Sequence, residues 1–426
     1  MKKHFYTFLL LAAPLLVHAQ PIHPFTPPEY APAKAVLIEW DFNPNTWSLY
    51  SPLIAACREA AETICVVRDM GEENIMRSRL TQDGVSLDNV SFVHVPCERM
   101  WIRDHGPFAI MTDEGMAFME FDDHANSGMD EYLPTNLANL WGLSVFELPW
   151  VFDGGNLMVD GHGTLFCTNG LYSRNPNMSK QQIHADLEHY MGIKQVVALK
   201  SQHNDYWKHI DMQVKLLDDS TLVVSSVALG SSANHDSLEH NYNLLAALES
   251  PNGQPYRIAR LPHADNWKTY ANALLLNNHL LVPTYSHPND SLALATYASL
   301  LPNHTVVGID CNKIIGWDGA LHCITMQLFD DAQVSRVKNI STRHDGFSVW
   351  PNPVPTGGTL WLRFADEWHD ATWVQVLDVQ GRVLHSQWLT PSDAAAVRLP
   401  VHLTPGVYWL QASGEQRMGV RRFVVR

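Results

Sequence analysis

The chain has 426 residues, 46% of them hydrophobic and 17% charged, so it is long enough for two or three domains with a sizeable core. Its 44 acidic residues outnumber its 29 basic ones, which gives a formal net charge of −15. This balance argues against nucleic acid or an anionic membrane as the partner and mildly favours a cationic substrate.

The first twenty residues have the features of an export signal. Two lysines are followed by an apolar run at 8–17 and by the small residue Ala19. This pattern predicts a secretory signal peptide over 1–19, with cleavage after Ala19. A membrane span needs about 18 apolar residues in a row, and no run in the chain reaches that length. We therefore expect an exported protein without a membrane span.

After a proline-rich segment at 21–32, the chain repeats a pattern of strand and helix. A first strand is predicted at 35–40. Helix candidates lie near 51–63, 134–142, 180–191, 236–249 and 290–301, and each is followed by a short β-branched strand. The helix at 236–249 carries Leu238, Tyr242, Leu245 and Leu248 at helical spacing. Five such units predict a closed, pseudo-symmetric α/β assembly. An open doubly wound sheet stays possible, although no glycine-rich phosphate loop follows the first strand.

The pattern changes beyond residue 340. Short runs of alternating polarity appear at 359–364, 373–379, 407–412 and 421–426, separated by glycine and proline turns. They predict a small all-β sandwich over 345–426, which follows an α/β domain at 21–340. This tail contains no cysteine, and we expect a structural or sorting role for it.

The six cysteines are too sparse for a disulfide scaffold, and no C-x-x-C pair indicates a zinc site. A disulfide between Cys57 and Cys65 stays open. Cys323 is distinctive because it follows the loop IIGWDGALH, in which Gly316 and Gly319 free the backbone. Such a loop can present a cysteine at the rim of a domain. The alternative is a small buried hydrophobe.

Two further stretches place polar side chains next to turns. MWIRDHGP holds Trp101, Arg103 and Asp104, and it predicts either a surface ion pair or a pocket in which Asp104 faces a ligand beside the wall of Trp101. FDGGN contains Asp153 to Asn156, with Gly155 in the paired glycines. The glycines permit a close approach to a ligand, and an ordinary hairpin turn is the alternative.

A last stretch, YWKHID, carries Tyr206, His209 and Asp211. If 209–216 is a strand, His209 and Asp211 point to the same face. This spacing also suits metal ligands, but no third ligand follows at a convincing distance. A cysteine and a histidine fit nucleophilic catalysis, and the additional carboxylates fit a planar cation such as guanidinium.

In this order the motifs W-x-R-D-x-G-P, an acid before GGN, H-x-D and G-x-x-H-C-x-T resemble the agmatine deiminase and Porphyromonas-type peptidylarginine deiminase family. The resemblance runs from about residue 25 to 335 and implies the five-bladed α/β propeller of the pentein fold. The tail, with WPNPVP, LDVQGRV and LTPGVYW, resembles the sorting domain of the type IX secretion system. Secretion to the cell surface through that machinery is therefore expected.

The resemblance also implies roles for individual residues. Cys323 resembles the nucleophile, His209 the general acid and base, and Asp104 and Asp211 the carboxylates that hold the guanidinium. No metal or organic cofactor is implied. The residues expected to contact the substrate are Asp153, which stands where small-substrate members carry a glutamate, Trp101, Tyr206, Asn272, Arg103, Gly155 and Asn156.

The sequence leaves the choice of guanidine open. In the peptide-acting branch, two arginines beyond the W-x-R-D-x-G-P motif hold the C-terminal carboxylate of the substrate, whereas the stretch 120–131 here has no arginine and five acids. That difference favours agmatine, while the signal peptide and the tail favour arginine in proteins or peptides. We expect a secreted hydrolase of protein or peptide arginine. The alternatives are an agmatine deiminase, an amidinotransferase and a non-catalytic arginine-binding surface protein.

Overall fold

The computed structural model describes residues 21–41, 43–122, 128–264, 267–329, 347–364, 372–377, 383–389, 395–399, 403–413 and 418–426. The predicted signal peptide lies outside these ranges. The chain divides into two compact units, which are unit 1, Met1–Ser335, and unit 2, Arg336–Arg426. The domain boundaries expected from the sequence stay predictions.

Unit 1 alternates strands and helices. Its helices are α1 Trp47–Ala60, α2 Met70–Gln82, α3 Ile102–His105, α4 Leu133–Trp141, α5 Gly170–Ser173, α6 Lys180–Met191, α7 His235–Ala246 and α8 Asn289–Leu300. Its strands are β1 Ala33–Glu39, β2 Glu62–Val67, β3 Val90–His94, β4 Phe108–Thr112, β5 Gly115–Asp122, β6 Ser144–Val151, β7 Met158–Val159, β8 Thr164–Thr168, β9 Gln195–Leu199, β10 Val214–Asp218, β11 Thr221–Ser226, β12 Arg257–Pro262, β13 Leu274–Leu276, β14 His279–Thr284, β15 Thr305–Asp310 and β16 Met326–Phe329.

Within the described residues of unit 1, the strands form five sheets of similar construction. Four have the orders β4-β5-β6, β7-β8-β9, β10-β11-β12 and β13-β14-β15, and the fifth is β16-β1-β2-β3. In each three-stranded sheet the first two strands pair antiparallel, and a helical segment then leads to a parallel third strand. In the fifth sheet β16 pairs antiparallel with β1, and β1 pairs parallel with β2. Unit 1 is therefore a mixed α/β structure, and the five helix-then-strand predictions are confirmed.

Local sequence signals explain several helix ends. Asp69 caps α2 by accepting hydrogen bonds from the N–H groups of Gly71 and Glu72. Ser179 and Gln182 form a capping box at the start of α6. The helix predicted at 236–249 ends at Ala246, so Leu248 packs on the core from beyond α7.

Buried apolar residues hold unit 1 together. The central strands read as apolar runs, and in β1 every residue except Lys34 is buried. All six cysteines lie in described parts of this unit, where they are buried and unpaired, so the structure contains no Cys57–Cys65 disulfide. Among the described residues, no helix has the length and apolar character needed to cross a membrane.

Unit 2 is all-β in its described residues. Its strands are β17 Phe347–Trp350, β18 Thr359–Phe364, β19 Thr372–Leu377, β20 Val383–Leu389, β21 Ala395–Arg398, β22 Gly406–Ser413 and β23 Met418–Val425. They form two antiparallel sheets, β17-β18-β21 and β20-β19-β22-β23, that bury one shared apolar cluster. In β18 the buried residues Leu360, Leu362 and Phe364 alternate with more exposed ones, as its sequence predicts.

Candidate active site

The cysteine loop is held by a single asparagine. Cys323 lies between a 3-10 turn at Ile315–Trp317 and strand β16. The Oδ1 atom of Asn272 accepts backbone N–H groups of this loop at 3.1, 3.1 and 3.4 Å, from Ala320, His322 and Cys323. Asn272 Nδ2 donates to Sγ of Cys323 over 3.2 Å. Cys323 is only 2% exposed, so it lies buried against Asn272 and the expectation of a cysteine at the rim is wrong.

A glycine before the cysteine brings Trp101 onto the loop. A β-carbon built on Gly319 would overlap the six-membered ring of Trp101. The half-buried Trp101 ring therefore lies directly on the backbone of the cysteine loop. The role of Trp101 as a pocket wall stays a prediction.

His209 reaches the same region from another loop. The expected strand at 209–216 begins only at Val214, because residues 210–212 form a 3-10 turn and the preceding Lys208 has a φ of +59°. His209 Nδ1 lies 3.7 Å from Asp104 Oδ1, and Nε2 lies 3.2 Å from Asp153 Oδ2. The ring thus lies between two carboxylates that come from two other sequence motifs.

Gly155 makes this position of the histidine ring possible. A β-carbon built on Gly155 would overlap Nδ1 of His209. The paired glycines predict a close approach to a ligand, but the group that lies against Gly155 is the side chain of His209. The GGN residues form a 3-10 turn rather than a hairpin, and Oδ1 of Asn156 accepts the N–H of Thr168 at 2.7 Å.

Asp211 approaches the thiol from the 3-10 turn at residues 210–212. Its Oδ2 lies 3.6 Å from Sγ of Cys323 and 2.7 Å from Nδ1 of His322. Within the described residues, its other oxygen, Oδ1, is buried and has no hydrogen-bond partner. A buried carboxylate oxygen without a donor is an acceptor available to a ligand.

The electrostatics of the site keep the resting thiol neutral. Burial, and the charges of Asp211 and Asp104 beside it, raise the pKa of Cys323 to about 12. Burial works to lower the pKa of His209, but Asp104, Cys323 and Asp211 outweigh it and raise this pKa to about 9. For Asp211, burial is opposed by His322 and His209, which lower its pKa below the usual value. At neutral pH the site therefore holds a thiol, an imidazolium and an ionised carboxylate.

Arg103 supports the cysteine loop from within the protein. Its Nε donates to the carbonyl of His322 at 3.2 Å and its guanidinium to Oε1 of Gln327 at 2.9 Å. Its backbone N–H donates to the carbonyl of Cys323. The alternative of a surface ion pair with Asp104 is therefore wrong, because Arg103 is buried.

Arg174 is a site residue that sequence reasoning missed. Its guanidinium pairs with Asp153 and donates to the carbonyl oxygens of Tyr206 and Trp207. It thereby ties the loop before His209 to the carboxylate that contacts that histidine. Tyr206 itself is 65% exposed. The ring centroid of Trp207, also missed, lies 6.1 Å from that of His209.

One buried group has the composition of a metal site. Among the described residues, Glu39, His105 and Asp130 bring possible ligand atoms within 4.8 Å of one another. His105 Nε2, however, lies 3.0 Å from Glu39, and Arg99 Nε lies 3.0 Å from Asp130. Side chains of opposite charge therefore already occupy these carboxylates, and the group needs no ion to balance its charge.

Comparisons with known proteins agree with this geometry. Residues 25–328 match the sequence model of Porphyromonas-type peptidyl-arginine deiminase, and residues 348–426 match that of a secretion system C-terminal sorting domain. A putative agmatine deiminase of Marinomonas sp. is 22% identical over 357 residues, 73% of this chain and 96% of the relative. One of Streptomyces coelicolor is 25% identical over 338 residues, 71% of this chain and 97% of the relative.

A solved structure has the same fold. The crystal structure of a putative arginine deiminase from Porphyromonas gingivalis matches with a TM-score of 0.65 and 27% identity, over 72% of this chain and 98% of that one. By its family match and its relatives the protein is a guanidine deiminase, a hydrolase. The chain belongs to the Porphyromonas-type peptidyl-arginine deiminase family, and a type IX sorting domain follows its family region.

Proposed function

We propose that the protein hydrolyses the guanidinium of arginine in proteins or peptides, giving citrulline and ammonia, with Cys323 as the nucleophile. One observation carries this proposal. A buried thiol lies 3.6 Å from one oxygen of Asp211, whose other oxygen lacks a partner within the described residues. A planar cation that donates to that oxygen is held beside the sulfur.

Asp104 and Asp211 are the carboxylates proposed to hold the guanidinium. They approach the region of the thiol and His209 from different loops, which suits a cation with donors on several edges. The ring of Trp101 supplies an apolar wall. We propose that Tyr206 contacts the part of the substrate that extends towards solvent, because its side chain is the most exposed in the site.

The reaction begins with the Cys323 thiol, whose pKa of about 12 keeps it protonated without substrate. A guanidinium in the site adds positive charge next to the sulfur and lowers this pKa, so that the thiol releases its proton to solvent. The thiolate then attacks the central carbon of the guanidinium. His209 protonates the departing nitrogen, which leaves as ammonia, and an amidino-thioether remains on Cys323.

Hydrolysis completes the cycle. His209, now neutral, takes a proton from a water that attacks the same carbon, and the carbon–sulfur bond breaks. The hydroxyl proton of the resulting adduct passes to the departing sulfur, so the products are the ureido group and the free thiol. Asp153, itself paired with Arg174, is proposed to orient the His209 ring in both steps, since it lies 3.2 Å from Nε2.

Three residues expected to contact substrate are better explained as supports. Arg103 and Asn156 have their polar contacts inside the protein, and Gly155 makes room for His209. Asn272 contacts the sulfur itself. We propose that Asn272 belongs to the catalytic machinery and that the other three shape the site around it.

Agmatine is the second candidate substrate. Several relatives carry the name agmatine deiminase, and the acidic stretch at 120–131 would attract an amine more readily than a carboxylate. Residues 123–127 of that stretch lie outside the described residues. Export favours peptide or protein arginine, because the sorting domain directs the enzyme to where extracellular proteins are its available targets.

We also propose a finer description of fold and location. The five sheets of unit 1 repeat one strand order, which supports five blades of a pentein propeller, and the two sheets of unit 2 support a β-sandwich. The sorting domain supports export to the cell surface through the type IX machinery. The signal peptide over 1–19 stays part of this proposal.

The test is turnover by the full-length protein on agmatine, free arginine, and peptides with internal or C-terminal arginine. Ammonia and ureido product would be measured together. Preference for peptides supports the main proposal, and turnover of agmatine alone supports the second candidate. Exchange of the amidino group onto added amines indicates a transferase. Binding of arginine peptides without ammonia release contradicts enzymatic function.

A further inference from the structure

His322, the residue before the nucleophile, lies between two carboxylates that face it from opposite sides. Its Nδ1 lies 2.7 Å from Oδ2 of Asp211, and its Nε2 lies 3.0 Å from Oε2 of Glu29. The ring is buried. Both contacts are hydrogen bonds when the ring is an imidazolium, because only then do both nitrogens donate.

Glu29 is in turn fixed by groups on the other side. Nζ of Lys215 lies 2.5 Å from both oxygens of Glu29, and the N–H of Leu275 donates to Oε1 at 2.7 Å. Lys215 also donates to the carbonyl of Ala273 at 2.6 Å and is only 2% exposed. The side chains thus form a row of hydrogen-bonding partners: Asp211, His322, Glu29 and Lys215.

We infer that His322 is a positioning residue, held by Glu29, which fixes the carboxylate of Asp211 so that Oδ1 faces the guanidinium. The inference rests on the proposed function. Oδ2 of Asp211 is occupied by His322, so rotation of the carboxylate is restricted and the direction of Oδ1 is set. The hydrogen bond from Nδ1 also satisfies a buried carboxylate that would otherwise be costly before substrate arrives.

This role is separate from that of His209. Both ring nitrogens of His322 are engaged by carboxylates, so neither is free to exchange a proton with the substrate. Its backbone N–H serves the cysteine loop through Asn272. The side chain therefore links Asp211 to Glu29, and substitutions at 322 change these contacts while leaving the backbone contact of the loop.

Two isosteric variants separate the contacts of His322. In His322→Asn, the side-chain amide lies near the former Nδ1 and can donate to Asp211, but it does not reach Glu29. In His322→Gln, the amide lies near the former Nε2 and reaches Glu29, but leaves Asp211 without its donor. A cavity of about 60 Å³ that Glu29 and Asp211 also line can admit water beside a shortened side chain.

The first measurement is kcat and KM of the full-length variants on the guanidine that the wild type turns over best. We expect His322→Gln to lose about 10–100-fold in kcat/KM. Removal of the hydrogen-bond partner of a metal-ligating side chain has an effect of this size. His322→Asn should recover a large part of this loss. The control is His184→Asn, which removes a half-buried histidine bonded to Tyr172 and should leave kcat/KM unchanged.

The second measurement distinguishes positioning from general loosening. In a Cys323→Ser background, the affinity for the cationic substrate and for the neutral ureido product would be measured for each variant at 322. We expect His322→Gln to weaken binding of the cation and to leave binding of the neutral product unchanged. Equal weakening of both ligands, or equal losses in the Asn and Gln variants, would overturn the inference.

Failure of the two proposals would look different. A wild-type protein that releases no ammonia from any guanidine contradicts the proposed function. A wild type that is active, with a His322→Gln variant of unchanged kcat/KM, contradicts only the role of His322. A lower melting temperature in His322→Gln with recovery of neither activity nor cation binding in His322→Asn would assign the residue to stability alone.

Discussion

Asn272 and Cys323 are joined twice, because Nδ2 of the asparagine donates to the cysteine sulfur at 3.2 Å while Oδ1 accepts the backbone N–H of the same cysteine at 3.4 Å. One amide therefore sets both the position of the loop and the hydrogen bonding of the thiol. In a fully buried setting such an arrangement is costly to break.

Substitution of Asn272 should separate these two effects. Asn272→Asp keeps the acceptor for the loop but places a negative charge beside the sulfur, so we expect kcat to fall strongly with little change in thermal melting. Asn272→Ala removes the Oδ1 acceptor of the Ala320 and Cys323 N–H groups, at about 1–3 kcal/mol for each buried group, while the His322 N–H keeps the backbone carbonyl of residue 272. Melting curves and kcat of both variants check this, and full activity in Asn272→Asp would contradict the contact with the sulfur.

Gly155→Ala should displace His209 without replacing any of the proposed catalytic residues. The added methyl group overlaps Nδ1 of the histidine, and we expect kcat to fall by about 100-fold, as a misplaced catalytic group can cost. The matched control is Gly316→Ala, in the cysteine loop, where a β-carbon meets nothing within 4 Å. Comparable activity of the two alanine variants would argue against His209 as the proton donor.

The alkaline limit of activity should report His209. Its pKa is raised to about 9 from the ordinary 6.5, and the proposed reaction needs the protonated ring to release ammonia. We therefore expect kcat/KM to fall by about tenfold for each pH unit above 9. A profile whose alkaline limb lies near 6.5 would contradict the raised pKa.

The same group contributes to stability in a defined pH range. Because the folded-state pKa lies above the unfolded one, the contribution is fully present below pH 6.5 and is lost as pH rises to about 9. We expect the wild type to lose melting temperature over this range relative to His209→Gln. Parallel curves for the two proteins would show that the histidine is not stabilised by its carboxylates.

Cationic reagents should modify Cys323 faster than neutral ones of the same size. A small chloro-amidine adds a positive charge next to the sulfur, whereas the corresponding amide does not, and the thiol with a pKa of about 12 needs that charge to ionise. We expect alkylation by the amidine to be faster by at least about tenfold. Peptide mapping identifies the modified residue, and equal rates would contradict substrate-assisted ionisation.

The sequence was most informative where local pattern decides structure. The helix-then-strand units follow from apolar spacing and turn residues, and the residues of the four motifs meet near Cys323 as predicted. A strand at 209–216 was the condition for placing His209 and Asp211 on one face, and it fails because residues 210–212 form a 3-10 turn. Both side chains nevertheless reach the site, His209 beside Asp104 and Asp211 beside Cys323.

Other features depend on contacts that no local pattern encodes. Arg174 stands in LYSRNP, where no catalytic motif singles it out, and it meets Asp153 and the loop at 206–207 only after folding. Glu29 contacts His322 although the two residues lie near opposite ends of unit 1 in the sequence. The sequence left Cys323 open between the rim of the domain and its interior, because loop glycines indicate conformational freedom rather than depth.

The most direct test of the account is acid-quench mass spectrometry of the full-length enzyme during turnover. The proposed mechanism predicts that the peptide containing Cys323 gains the mass of the substrate less one ammonia, and that Cys323→Ala neither gains this mass nor releases ammonia. Cys57→Ala, a buried cysteine in helix α1, serves as the control and should behave as the wild type. Ammonia release that persists in Cys323→Ala would contradict nucleophilic catalysis by this cysteine.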